Sequence, residues 1–415
     1  MRTLTGFLAI SLWVVAQTPA ATITKNSLSA GEIDEAIAQL SKITGLEPLK
    51  KVQADTITRA GVRKFLEEKI REEIKPEEIR IEELALKRFG LLPAEFDLKS
   101  ATVDLITEQA AAFYDFRTKK LYLLDGDEVK LPGTGEEFGK AAQKMIVVHE
   151  LAHALADQHF DLGKYIRRSR SGDSSTARMA VTEGQATWLM MESMLSGVGQ
   201  SMKSMPGMID TIGNTAADAM AGQYPVLASA PLYLRTSLIF PYSQGLRFQQ
   251  AVTLKLGNAG FTQVFKQPPV SSQQILHPEK YFARVEPVKV ALPDTPKRWK
   301  TINESTVGEL EHAVLLEQYL SKKDADELAP AWKGGVLGLA EARDSKDVAM
   351  TYASEWESPE MARRFFEAYR AVLKGKWKRF EVARSDKDSF SGTGDTGAFS
   401  VQLTGTRVTS MEGFE

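Results

Sequence analysis

The chain contains no cysteine in 415 residues, which excludes disulfides, thiol catalysis, cysteine-ligated zinc and a lipid-modified cysteine at a processing site. Histidine is scarce too: there are five, so any regular spacing between two of them is informative. Neither charge sign dominates. With 52 Lys+Arg against 54 Asp+Glu the formal net charge is −2, which gives no basis for nucleic-acid binding. The charge-rich stretch 63–83 mixes both signs, as solvated helices do. Past the N-terminus no run of about twenty apolar residues occurs, so no stable membrane span is expected in the processed chain. There is no internal repeat and no low-complexity segment. Composition is that of an ordinary globular protein with room for two or three domains, at 43% hydrophobic and 26% charged.

Residues 1–21 read as a secretory signal peptide. Met1-Arg2 precedes an apolar run from Leu4 to Ala16, and Thr18-Pro19-Ala20-Ala21 is a small-residue exit. The run is too short to span a bilayer, so a secreted or periplasmic protein is expected. Residues 22–95 form a helical region, with helices predicted over 30–44, 56–74 and 76–89, the last stopping at Gly90. Packing, rather than pro-segment inhibition, is its expected role. Residues 111–124 alternate around Tyr114 to Lys120 and predict a β-hairpin. Residues 291–415 predict a small α+β domain: helices over 307–320 and 359–373, and strands over 336–342, 348–356, 379–384 and 399–403. The whole chain is expected to be α+β and predominantly helical. Met190, Met191, Met194, Met205, Met208 and Met220 are read as core filling, and Arg167, Arg168 and Arg170 as a solvated loop, the alternative being a loop that steers an acidic substrate.

The part with readable chemistry is 96–290. His149-Glu150-Leu151-Ala152-His153 spells HExxH, in which histidines four apart share one helix face, so a single ion can take a nitrogen from each with Glu150 beside its open position. The helix is supported upstream by Thr134 to Glu137, which has capping-box form, and by Phe138, Ala141, Ala142, Met145, Ile146 and Val148 at helical spacing. A buried helix with two imidazoles and a carboxylate is costly unless something binds them. The alternative is a core helix whose histidines satisfy each other.

Catalytic zinc needs a third protein ligand. His159 stands where a metzincin has its last histidine, but the glycine that turns the chain in that pattern is here Ala156, which favours a continuing helix. Glu183 is the other candidate, on a helix capped by Asp173 or Ser174 and running to about Leu195, with Gly197 beyond. Asp157 extends the His149 and His153 row too far for one ion and is expected to orient a ligand or to interact locally.

HELAHALADQHF at 149–160 followed by ARMAVTEGQA at 177–186 resembles the gluzincin arrangement, HExxH plus a glutamate on a later helix. More closely, the chain resembles a group of largely uncharacterised bacterial secreted proteins with a zincin-like core. AAFYDFRTKKLYLLD at 111–125, PYSQGLRF at 241–248 and SSQQILHPEKY at 271–281 also resemble that group. The resemblance covers roughly residues 95–285. It implies a zinc-dependent peptidase acting on protein or peptide substrates, with His149, His153 and Glu183 as Zn2+ ligands and Glu150 as general base. It also implies a zincin-like core in which the hairpin before the HExxH helix lines the cleft and pairs with extended substrate. The oxyanion of the tetrahedral intermediate needs a donor, for which His277 and Tyr281 are candidates, with Tyr242 behind them. A zinc-binding module without turnover and a hydrolase of some other acyl substrate are the competing readings.

Overall fold

The computed structural model describes residues 29–125, 136–205, 207, 209 and 224–414. The expected signal segment at 1–21 and the capping residue Thr134 lie outside them. Helix outweighs strand, 56% against 20%, so the chain is α+β and predominantly helical.

Helix α1 (Ala30–Thr44) starts at Ser29, whose hydroxyl accepts the Glu32 N–H while Glu32 accepts the Ser29 N–H, and it ends at Gly45 in the left-handed region. The predicted helix over 56–74 begins later than expected. Thr56, Ile57 and Thr58 are β-branched and enter strand β1 (Gln53–Thr58), and the Thr58 hydroxyl then caps α2 (Arg59–Glu73). Helix α3 (Pro76–Phe89) has Pro76 in its first turn, where a missing N–H costs nothing, and stops at Gly90. After α4 (Leu98–Gln109) come β2 (Ala112–Asp115) and β3 (Lys120–Asp125), the predicted hairpin. The three strands form a sheet in the order β1-β3-β2, with β1 parallel and β2 antiparallel to β3, so β2 is an outer strand.

Two 25-residue helices follow, α5 (Glu136–Phe160) and, after the short α6 (Leu162–Arg167), α7 (Gly172–Ser196). Ser171, rather than Asp173 or Ser174, is the N-cap of α7, because its hydroxyl accepts the Ser174 N–H. Asp173 instead accepts the Ser272 N–H at 2.8 Å. Then come α8 (Pro225–Ser229), the long α9 (Leu232–Leu256), α10 (Gly260–Lys266), α11 (Ser272–Leu276) and α12 (Pro278–Phe282).

The C-terminal part contains β4 (Trp299–Thr306), α13 (Glu309–Tyr319), α14 (Lys322–Leu328), β5 (Trp332–Ala342), β6 (Val348–Trp356), α15 (Pro359–Lys376), β7 (Phe380–Ser385), β8 (Ser389–Gly394), β9 (Gly397–Thr404) and β10 (Arg407–Glu412). Its strands make one antiparallel sheet in the order β4-β5-β6-β10-β9-β8-β7. Helix α15 buries Phe365, Phe366, Tyr369, Val372 and Leu373. Strands β4, β8 and β10 were not among the sequence expectations, since SFSGTG in β8 alternates only weakly and contains two glycines.

One apolar core joins Leu86 and Phe89 of α3, Phe248 of α9, Leu315 of α13, Trp332 of β5 and Phe365 of α15. A second surrounds the two long helices, joining Ile37 and Leu40 of α1 to Leu121, Ile146, Leu151, Leu155, Trp188 and Phe261. Helix α1 thus packs on the HExxH helix. Met190 and Met202 belong to this core while Met194 is 51% exposed; Met208 and Met220 lie outside the described residues. No helix among the described residues is long and apolar enough to cross a membrane.

Candidate metal centre

Helical spacing on α5 puts His149 and His153 on one face, with their Nε2 atoms 3.1 Å apart. Glu183 of α7 meets them there, its Oε2 lying 3.2 Å from each Nε2. All three are buried, at 2%, 7% and 2% exposure. Among the described residues this is the one group of His, Cys, Asp or Glu side chains close enough together to hold a metal ion. Asp157 is not part of it, and His159 points away, its Nε2 lying 2.8 Å from the backbone oxygen of Glu47.

A close helix crossing shapes the other wall. A Cβ on Gly184 would lie 2.1 Å from the backbone of Gly245, and one on Gly245 would lie 2.2 Å from the Ala180 oxygen. Only glycine at both positions lets α7 and α9 come this near. Gly245 follows Tyr242 by less than one turn, so the crossing carries that tyrosine to the cluster of His149 and Glu183. Its ring stacks on His149 at 6.1 Å, and its hydroxyl hydrogen-bonds Glu183.

The electrostatics follow from burial and crowding. Burial lowers the His149 pKa, against the pull of Glu183. Burial opposes charge on His153 too, but Glu183, Glu150 and Asp157 outweigh it and the pKa is raised. Two imidazoles sharing one carboxylate cannot both be charged, so the pair divides in this way. Burial works against the Glu183 carboxylate, yet the histidines prevail and hold it down to about 2. Glu150 is pushed up to about 8, chiefly by burial. Tyr242 is raised well above its usual value by burial, then by Glu183 and Glu150, and so keeps its proton.

Strand β2 fixes Glu150. The Tyr114 N–H donates to Glu150 Oε2 at 2.7 Å, and the Tyr114 hydroxyl donates to Asp157 Oδ2 at 3.0 Å. Asp157 also accepts from Lys119 Nζ at 2.6 Å and from the Leu162 N–H at 3.0 Å. It therefore binds locally and ties the hairpin to α5. The hairpin was expected to offer an edge to substrate. Strand β2 is indeed the outer strand beside α5, but its four residues are buried and its Tyr114 N–H is already committed to Glu150.

His277 and Tyr281 are not brought to this cluster. Pro278 does hold His277 out of helical geometry, at φ −126°, but the ring meets Glu309 at 2.7 Å, at the start of α13. Glu309 neighbours Asp173, which is ten residues before Glu183 on α7, about 15 Å at 1.5 Å per residue. The Tyr281 hydroxyl donates to the Gln267 carbonyl at 2.9 Å, and its ring packs on Phe248. Of the three, Tyr242 is the one that meets the cluster, and its position depends on the distant Gly184 and Gly245 contact. Tyr114 was missed as a partner of Glu150; the seven-residue spacing of Glu150 and Asp157, two turns on one face, was its only trace in the sequence.

Residues 297–415 match a family described as Domain of unknown function (DUF8575). The match starts just before β4 and runs through the C-terminal sheet. No curated protein matches the chain, and neither does any solved structure.

Proposed function

We propose that this chain is an exported zinc-dependent peptidase with a zincin-like core of the gluzincin form, in which His149, His153 and Glu183 hold the metal and Glu150 is the general base. The observation that carries this is the triangle of ligand atoms, with edges of 3.1, 3.2 and 3.2 Å. Tetrahedral zinc with bonds of about 2.0–2.1 Å would need ligand separations of about 3.3 Å, so the donor set fits with little movement. Three protein ligands suit a catalytic site, since structural zinc usually has four. The N-terminal residues 1–21, by their composition, support export.

Zinc held there would lower the pKa of a bound water toward neutrality and polarise a scissile carbonyl. Glu150, beside the ligands and held by the Tyr114 amide, takes the water's proton and passes it to the leaving amine. Tyr242, protonated and hydrogen-bonded to Glu183, orients that carboxylate toward the two histidines.

A second reading, a metal-binding protein without turnover, is favoured by closure of the site: Glu150 is 3% exposed and His153 7%. Metal analysis combined with cleavage of an unbiased peptide mixture separates the two. We expect stoichiometric zinc in both the wild type and Glu150→Gln, and cleavage by the wild type alone. Turnover retained in the variant would remove Glu150 as base, and zinc without wild-type cleavage would establish the second reading.

A further inference from the structure

Some arginines of this chain are paired with carboxylates: Arg63, Arg80, Arg117, Arg298, Arg363, Arg364 and Arg407 each bridge to one. What sets the stretch from α6 into α7 apart is the density of basic residues with little acid among them. Lys164, Arg167, Arg168, Arg170 and Arg178 fall within fifteen residues whose one acid, Asp173, is buried and turned toward Ser272. Among the described residues, none of the five has an ion-pair partner.

The fold concentrates these charges. Arg178, half-buried on α7, lies back over the Tyr165 ring at 4.7 Å and donates from Nη1 to the Tyr165 carbonyl at 2.7 Å, while its Nε is buried and lacks an acceptor. That places its guanidinium under the exposed loop. Burial, and then Arg170 and Arg168 nearby, lower its pKa, as crowded like charges must. The Arg167 guanidinium lies against Gly163. A crowded basic face with no ion pair among the described residues carries like-charge repulsion, and an arriving anion relieves it.

We propose that this basic face, with Arg168, Arg170 and Arg178 at its centre, is a docking site for acidic peptide segments. This rests on the peptidase reading for the kind of molecule that comes to α7. Several separate guanidinium heads, distributed over a helix and a loop, match a row of carboxylates better than one compact anion. Arg178 precedes Glu183 by five residues, about 7.5 Å along the helix axis and about 140° round it, so the docking face lies on the same helix as Glu183 but on another side of it.

The test is fluorescence anisotropy of a labelled Glu/Asp-rich peptide and its Gln/Asn analogue on the full-length chain carrying Glu150→Gln, so that no peptide is cut. The acidic peptide should bind more tightly. Arg168→Ala with Arg170→Ala, or a rise in salt well past physiological strength, should weaken it roughly tenfold and leave the neutral analogue unchanged. Equal binding of the two peptides, or an acidic preference that survives the double substitution, would overturn the proposal. So would arginine-dependent capture of phosphatidylglycerol vesicles without the acidic peptide, which would assign the face to a membrane. Binding is read without turnover. A chain that docks the acidic peptide but, as wild type, cleaves nothing would therefore lose the peptidase reading and keep the docking face.

Discussion

The hydroxyl of Tyr114 donates to Asp157 at 3.0 Å, and the N–H of the same tyrosine reaches Glu150 at 2.7 Å, so one strand residue spans two turns of the HExxH helix. Asp157 anchors one end of this clasp, and Glu150 is held at the other. The side chain of Asp157 is fully shielded from solvent, and Lys119 closes over it from the hairpin turn.

Tyr114→Phe removes the anchor but keeps the amide. Loss of one buried hydrogen bond should cost about 1–3 kcal/mol in denaturant unfolding. Looser placement of the strand should lower kcat while leaving bound metal and KM nearly unchanged. Lost stability with an unchanged kcat would reduce the clasp to a purely structural contact.

Removal of ligands distinguishes the two candidate third donors. Glu183→Ala should give up its metal on dialysis, because two histidines alone hold zinc weakly, whereas His159→Ala should retain it, since that ring is bonded to the Glu47 carbonyl. Metal content by atomic emission decides; the opposite pattern would restore a metzincin-like site.

Gly184→Ala should be among the more damaging small substitutions in the chain. Its methyl would fall 2.1 Å from the Gly245 backbone, so α7 and α9 must separate, at a cost of about 1–3 kcal/mol or more. Separation also moves Glu183 and Tyr242 apart, so metal affinity should drop together with the melting temperature. If both are unchanged, the close crossing is not what sets the site.

The carboxyl of Glu311 gives a pH signature. Burial, followed by the charge of Asp173, pushes it up to about 8 from an ordinary value of 4.5. Between these values the folded form holds a proton that the unfolded form has lost, so this group's contribution to stability is greatest at low pH and falls as pH rises through about 8. Glu311→Gln can keep the capping-box bond to the Gly308 N–H but cannot ionise. Its urea midpoint should therefore gain on the wild type between about pH 5 and pH 9. A constant difference would mean that the buried carboxyl is already ionised.

What the sequence disclosed depended on the range of each interaction. His149, His153 and Glu183 were legible because helical spacing is local and each side chain's face follows from its own segment. Helices α1 and α3 were legible to the residue, since Ser29, Gly45, Pro76 and Gly90 mark their ends by local backbone preference. Tyr242 ranked behind His277 and Tyr281 because its position is decided by Gly184 meeting Gly245 across two helices. Pro278 did constrain His277, but toward Glu309, on an element that no local rule connects to it. For β1 the signal was present in Thr56, Ile57 and Thr58, and pairing with β3 outweighed the helical continuation.

The apolar core that passes from Phe89 through Phe248 to Phe365 has a consequence for how this molecule comes apart. The C-terminal sheet, although a family match begins at residue 297, shares its interior with helices that precede it in the chain. The two halves are therefore bound to melt together, in a single transition. A cut near residue 297 would leave two sticky fragments, neither with a closed interior, and the loss would extend to the helix that carries Glu183.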